Sequence, residues 1–241
     1  MRSSLLLMLF GLTVYAADPA PVVIELYTSE GCSSCPAAET LLQEFSATDP
    51  HLLVITWHVT YWDHLGWKDP WGIPGAEVRQ HAIATQTSGR MFTPQAIIQG
   101  RMSRVGSDRA GLIRAIADAR TRGPAAHVEP QLTITTRNSS TSTSAPSCHA
   151  SFSSFPIDAP ITVLVLEDHL TSQVTAGENA GEKLFHDGVV RWWKNLAHDR
   201  EVDVSLPENC SPDQVSVVAF AHTPQGTISA AGRARWPHQA P

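Results

Sequence analysis

No apolar run in this 241-residue chain is long enough to cross a bilayer as a helix, the amino-terminal stretch included. Lysine and arginine are not clustered and the formal charge is −6, so the polybasic signature of a nucleic-acid or anionic-membrane binder is missing. There is no tandem repeat. There is no G-x-S-x-G elbow either, so His186-Asp187, which has the composition of half a hydrolytic triad, lacks a nucleophile. Cysteine is scarce, at four residues, with one C-x-x-C and no second to complete a four-ligand metal site. The rest, 42% hydrophobic and 17% charged, is ordinary globular composition, enough for one large or two small domains.

Residues 1–16 read as a signal peptide: Arg2 is the positive end, Leu5 to Val14 the short apolar stretch, and Val14-Tyr15-Ala16 the small-residue cleavage site. An uncleaved helical anchor is the competing reading, disfavoured by length. No cysteine sits near the cleavage site, which argues against a lipoprotein anchor. The expected location is periplasmic or secreted, with no membrane span after cleavage. Losing Arg2 would make the mature chain about one charge more negative.

Export places the cysteines where disulfides persist. The distant pair, Cys148 and Cys210, is expected to form a structural disulfide worth about 2–4 kcal/mol, with two free thiols as the alternative.

The close pair sits in a different setting. Val22 to Tyr27 is an apolar, β-branched run that predicts a strand, and Thr28-Ser29-Glu30-Gly31 has turn composition. Cys32-Ser33-Ser34-Cys35 follows, then apolar residues at 37, 38, 41, 42 and 45, which is helical spacing. With Cys32 as N-cap, its sulfur would face unpaired N–H groups and the positive end of the helix dipole, both of which favour thiolate. Pro36 is tolerated in the first turn, where N–H groups lack partners. The pair is read as a redox dithiol; a structural disulfide is the plainer alternative.

Downstream, residues 51–59 predict a strand covered on both faces. The long loop 60–75 carries three of the seven tryptophans, and residues 76–88 predict a helix. Phe92 to Gln99 is a strand beginning at Thr93-Pro94, Met102 to Val105 its hairpin partner, and Ser107-Asp108 caps a last helix before Gly123-Pro124. The order is β-α-β-α-β-β-α. From His127 short alternating runs at 128–136, 147–153, 160–167, 200–206, 214–222 and 227–233 predict a β-rich, sandwich-like unit, while Glu167 to Trp193 breaks the alternation. The expected division is 17–124 and 125–241.

The Cys-x-x-Cys turn, this element order and Thr93-Pro94 resemble the thioredoxin fold, in which the proline is cis and faces the cysteines. ELYTSEGCSSCP, HVTYWDHLGWKDP, FTPQAIIQG and GENAGEKLFHDGVVR resemble, across both halves, the secreted thioredoxin-like family catalogued as domain of unknown function 1223. The resemblance implies an α/β thioredoxin-like domain followed by the β-rich one. One departure stands out: thioredoxins keep a buried acid six positions before the first cysteine, where this chain has Leu26, and Glu25 is one position off.

The expected activity is thiol–disulfide exchange, with Cys32 as nucleophile, Cys35 resolving the mixed disulfide, and Thr93 and Pro94 holding an extended substrate. No cofactor is implied; the partner would be a protein thiol or disulfide. Tyr61, Trp62, Trp67 and Trp71 would either floor the substrate site or simply pack their loop. His58 would tune Cys32 or be a hydrogen-bonded core residue. The alternative function is a non-catalytic binding protein, either a Cu(I) carrier through Cys32, Cys35 and His58 or a redox-sensing module.

Overall fold

A computed structural model of the protein describes residues 21–122, 125–134 and 146–237. The leader at 1–16 and most of the Ser/Thr-rich stretch 138–147 lie outside the described residues. In chain order the elements are β1 (Val22–Thr28), α1 (Cys35–Thr48), β2 (Leu52–His58), α2 (Ala76–Thr87), β3 (Gln95–Ile98), β4 (Met102–Val105), α3 (Arg109–Thr121) and β5 (Ala126–His127). There follow β6 (Gln131–Ile134), β7 (Ser147–Ser151), β8 (Ile161–Glu167), β9 (Leu170–Gln173), β10 (Lys183–His186), β11 (Val189–Leu196), β12 (Glu201–Ser205), β13 (Val215–His222) and β14 (Ile228–Arg235). Among the described residues no helix is long and apolar enough to cross a membrane.

The expected α/β thioredoxin-like domain followed by a separate sandwich is not what forms. The architecture is mainly β, with three helices among the described residues and one nine-stranded mixed sheet in the order β4-β3-β1-β2-β11-β8-β13-β14-β5. That sheet runs through both halves of the sequence. A three-stranded sheet (β12-β7-β6) and a two-stranded ribbon (β10-β9) complete the fold.

The physical reason lies at the join of β2 and β11. Val189 pairs with Thr56 in parallel, the Thr56 N–H donates to Gly188 O at 2.8 Å, and the Thr56 hydroxyl donates to Asp187 O at 2.8 Å. Gly188 has a φ of +64°, and a Cβ there would stand 2.7 Å from Val54 O, so only glycine admits this approach. Packing follows the same line. Alternate residues of β1 (Val23, Tyr27), β2 (Ile55, Trp57), β8 (Leu164, Leu166) and β13 (Val218, Phe220) form one core that crosses the join. The opposite face is divided: Ile24 and Leu26 pack with Leu42, Leu112 and Ile116 of α1 and α3, while Val163, Val165 and Val217 pack with Phe152 and Val204 under the small sheet. A sheet whose strands are buried on both faces reads as continuous apolar sequence, as β1 and β8 do.

Candidate functional site

The close cysteines sit where β1 turns into α1. The Cys32 N–H donates to Ser29 O and the Cys35 N–H to Cys32 O, each at 3.1 Å. Cys32 and Cys35 are joined as a disulfide, with Cα atoms 5.5 Å apart. The helix begins later than the spacing suggests: Ser34, not Cys32, is the N-cap, Cys35 is the first helical residue, and Pro36 still falls in the first turn. Both cysteines are covered, 1% and 0% exposed, while Ser33 and Ser34 between them face solvent.

The loop between β9 and β10 is tied to the backbone of this turn. The Asn179 side-chain amide donates to Glu30 O (2.7 Å) and Cys32 O (3.1 Å), and Glu178 accepts from the Ser33 N–H at 2.9 Å. This strap lies within the GENAGEK stretch, which the sequence shows as a break in β alternation and as part of a family-like motif, with no role for Asn179 legible in it.

The tryptophan loop closes the other side. A Cβ on Gly31 would lie 2.8 Å from Trp62 Cβ, so Trp62 stands directly against the cysteine turn, and its indole N–H donates to the Thr93 hydroxyl at 2.8 Å. Thr93-Pro94 is a cis peptide, and Pro94 Cβ closes with Ala38 Cβ and Leu26 Cδ1 around Gly106, against the first turns of α1. Trp67 donates to Glu30 Oε2 (2.7 Å), Trp71 to Ser172 Oγ (2.9 Å), and the Tyr61 hydroxyl reaches Gln80 Oε1 (3.4 Å). All four rings are half-buried and their polar ends are satisfied within the protein. Loop packing is therefore a role they demonstrably fill.

Beneath the turn is a buried ionic cluster. The Thr28 hydroxyl donates to Glu39 Oε1 at 2.7 Å, and His186 lies between two carboxylates, Nδ1 at 2.5 Å from Glu39 Oε2 and Nε2 at 2.9 Å from Glu30 Oε1. Burial works against a charged imidazole, but the Glu39 and Glu30 carboxylates outweigh it and push His186 up to about 10. Burial likewise works against ionised Glu39, yet His186 and the Thr28 hydroxyl hold its carboxyl below the usual range. His58 Nδ1 is 2.8 Å from Asp69 Oδ2, which also accepts from the Glu30 N–H at 2.9 Å. Asp69 too is held low: burial opposes ionisation, and His58 with the N–H groups of Glu30 and Trp71 overcomes it. The His58 and His186 rings meet edge-on, centroids 4.9 Å apart.

Of the residues singled out from sequence, Cys32, Cys35, Trp62, Thr93 and Pro94 thus come together. His58 joins the ionic cluster and not the sulfurs; the ligand atoms that converge, among the described residues, are those of Glu39, His58 and His186. Glu25 faces away, held by Arg79 at 2.6 and 2.9 Å and by Trp57 at 3.0 Å. Asp187 does not serve His186: it accepts from the His169 N–H at 2.7 Å. Cys148 and Cys210 are free thiols, which corrects the expected structural disulfide. The Cys148 thiol is buried in the core under the small sheet, whereas Cys210 interacts with Glu167 and Arg191. Burial pushes the two up to about 11 and about 12. Sequence reasoning missed Glu30, Glu39, Asp69 and Asn179. Only Glu39 left a signal, as an acid one helical turn after Cys35.

A family model described as "Protein of unknown function (DUF1223)" matches residues 23–222. No curated protein matches the chain. Among solved structures, a protein of Agrobacterium tumefaciens determined by X-ray crystallography is similar at 22% identity and a TM-score of 0.60, covering 91% of this chain and 95% of that one. HBP35 of Porphyromonas gingivalis is similar at 13% identity and a TM-score of 0.59, covering 92% of this chain and 76% of that one. At these identities the likeness is one of fold.

Proposed function

Since the chain belongs to the DUF1223 family, whose function is unknown, its activity has to be argued from its own residues, and we propose that it is an exported thiol–disulfide oxidoreductase. The observation that carries this reading is the Cys32–Cys35 disulfide at the strand-to-helix turn, with Trp62 running from Gly31 to Thr93 beside it. Export rests on the leader-like residues 1–16.

In the oxidising direction a substrate thiolate attacks Cys32 Sγ. The Cys32–Cys35 bond breaks and its electron pair leaves on Cys35, which takes up a proton. A second substrate thiol then loses its proton and attacks the mixed disulfide. The substrate leaves oxidised and the protein holds two thiols. The reducing direction is the reverse. The first turn of α1 favours whichever sulfur carries negative charge. Attack at Cys32 requires the surroundings of that residue to move, since it is 1% exposed, and the Asn179 strap that holds its carbonyl is the segment we expect to give way. Once it is open, the half-buried rings of Tyr61, Trp62 and Trp67 and the backbone at Thr93 and Pro94 offer an apolar floor and extended pairing for a polypeptide.

The test is a Cys35→Ala trap. Reduced C35A, incubated with an oxidised disulfide-bonded peptide, should gain the peptide's mass at Cys32, released by reductant. No adduct at Cys32 in a folded variant would remove the proposal.

A further inference from the structure

The ionic cluster beneath the turn has the makings of a site of a different kind. Its carboxylates Glu30, Glu39 and Asp69 make no ion pair with lysine or arginine among the described residues; the ionisable groups facing them are His58 and His186, beside hydrogen bonds from Trp67, Thr28 and two backbone N–H groups. Carboxylates held out of water require a compensating cation or full hydrogen bonding.

His58 supplies the second observation. The ring is 0% exposed, and its Nε2 has no hydrogen-bond partner. Nδ1 faces the Asp69 carboxylate at 2.8 Å, so Nε2 is the ring nitrogen left over, buried and aimed away from Asp69. A buried polar atom left without a partner is costly, by about 1–3 kcal/mol. It sits among groups whose ligand atoms all lie within 4.8 Å of one another: Glu39, His58 and His186.

We propose that Glu39, His58 and His186 bind one divalent cation of the zinc class. The ligand atoms are Glu39 Oε2, His58 Nε2 and His186 Nδ1, and the cation takes the place of the proton now shared by His186 and Glu39, releasing it to solvent. Bonds of about 2.0–2.2 Å put tetrahedral ligands roughly 3.3–3.6 Å apart, within reach of small side-chain rotations.

The outer shell is already complete. Asp69 holds the far nitrogen of His58, Glu30 the far nitrogen of His186, and the Thr28 hydroxyl the other oxygen of Glu39. Carboxylate–histidine pairs of this kind orient and strengthen metal ligands. Two imidazoles and one carboxylate suit zinc; calcium and magnesium call for oxygen-only shells, and Cu(I) for thiolate or thioether. A surface depression whose lining includes Glu39, Gln43, Lys183, Phe185 and His186 reaches two of the ligand residues, and a fourth ligand from solvent would enter from that side. The site stands whether or not the disulfide turns over, since neither sulfur is a ligand.

The test uses the full mature chain, oxidised so that Cys32 and Cys35 cannot ligate, in a Cys148→Ser, Cys210→Ser background. After chelation, dialysis against micromolar free Zn2+ and metal analysis should find one zinc per chain. His58→Gln should abolish retention, and Asp69→Asn should weaken it about 10- to 100-fold. X-ray absorption at the zinc edge of the unsubstituted oxidised protein, which does not depend on any variant folding, should show two imidazoles, oxygen donors and no sulfur. No stoichiometric zinc, retention unchanged in His58→Gln, or sulfur in the first shell would each overturn the proposal.

Discussion

Asn179 lies 147 residues downstream of Cys32 and donates its side-chain amide to the Cys32 carbonyl oxygen at 3.1 Å, as well as to that of Glu30 at 2.7 Å. One side chain from the second half of the sequence thereby clasps the cysteine turn of the first. Two buried amide hydrogen bonds contribute about 1–3 kcal/mol. Asn179→Ala should therefore speed reduction of the Cys32–Cys35 disulfide by a small phosphine roughly tenfold, read by quenched alkylation and intact mass. An unchanged rate would show that the strap does not limit access.

On the far side of β1, Glu25 and Arg79 form a buried pair, 0% and 8% exposed at the side chain. Removing one partner strands the other charge, which costs about 3–5 kcal/mol. Arg79→Met should lower unfolding stability by that much in a urea titration, and Glu25→Gln added to it should recover part of the loss. Glu25→Gln alone should leave the alkylation rate of reduced Cys32 unaltered, because Glu25 points to the other face.

Cys148 and Cys210 make a countable prediction. The unreduced, denatured protein should react with two equivalents of thiol reagent, and the reduced, denatured protein with four. In the native protein the reacting species is the thiolate, and with burial pushing the two thiols up to about 11 and 12 its fraction is small at neutral pH. Labelling should rise about tenfold per pH unit from 7 to 10. A plateau near pH 8 would contradict the burial argument.

The sheet join is tested at Gly188. Alanine there adopts a left-handed φ at a cost of about 1–2 kcal/mol, and its Cβ would also press on Val54 O. Gly188→Ala should destabilise both halves in one cooperative transition, since one core crosses the join. Two separate transitions in the unsubstituted protein would mean that the halves fold apart.

How far the sequence reveals this can be traced through particular strands. Residues 160–167 and 214–222 are legible because alternate side chains enter two different cores, giving short apolar runs. β11 is not legible: a bulge between Val190 and Trp192 shifts its register against β8, and Arg191 and Lys194 interrupt the pattern. That strand joins the halves, so missing it turned one sheet into two units. At the site, the Cys-x-x-Cys turn and Thr93-Pro94 were readable from local chemistry, although α1 starts three residues later than Cys32. The ionic cluster was not, because His186 meets Glu39 and Glu30 across 147 and 156 residues, and no local pattern encodes such a pairing.

Catalysis itself is the most direct measure of the account. Oxidation of a peptide dithiol should be accelerated by the oxidised protein, with its two close cysteines appearing as thiols in step with the peptide disulfide formed. Cys32→Ser should return the rate to background while keeping the native fold. Equal rates with Cys32→Ser and the unsubstituted protein, or no acceleration by either, would contradict it.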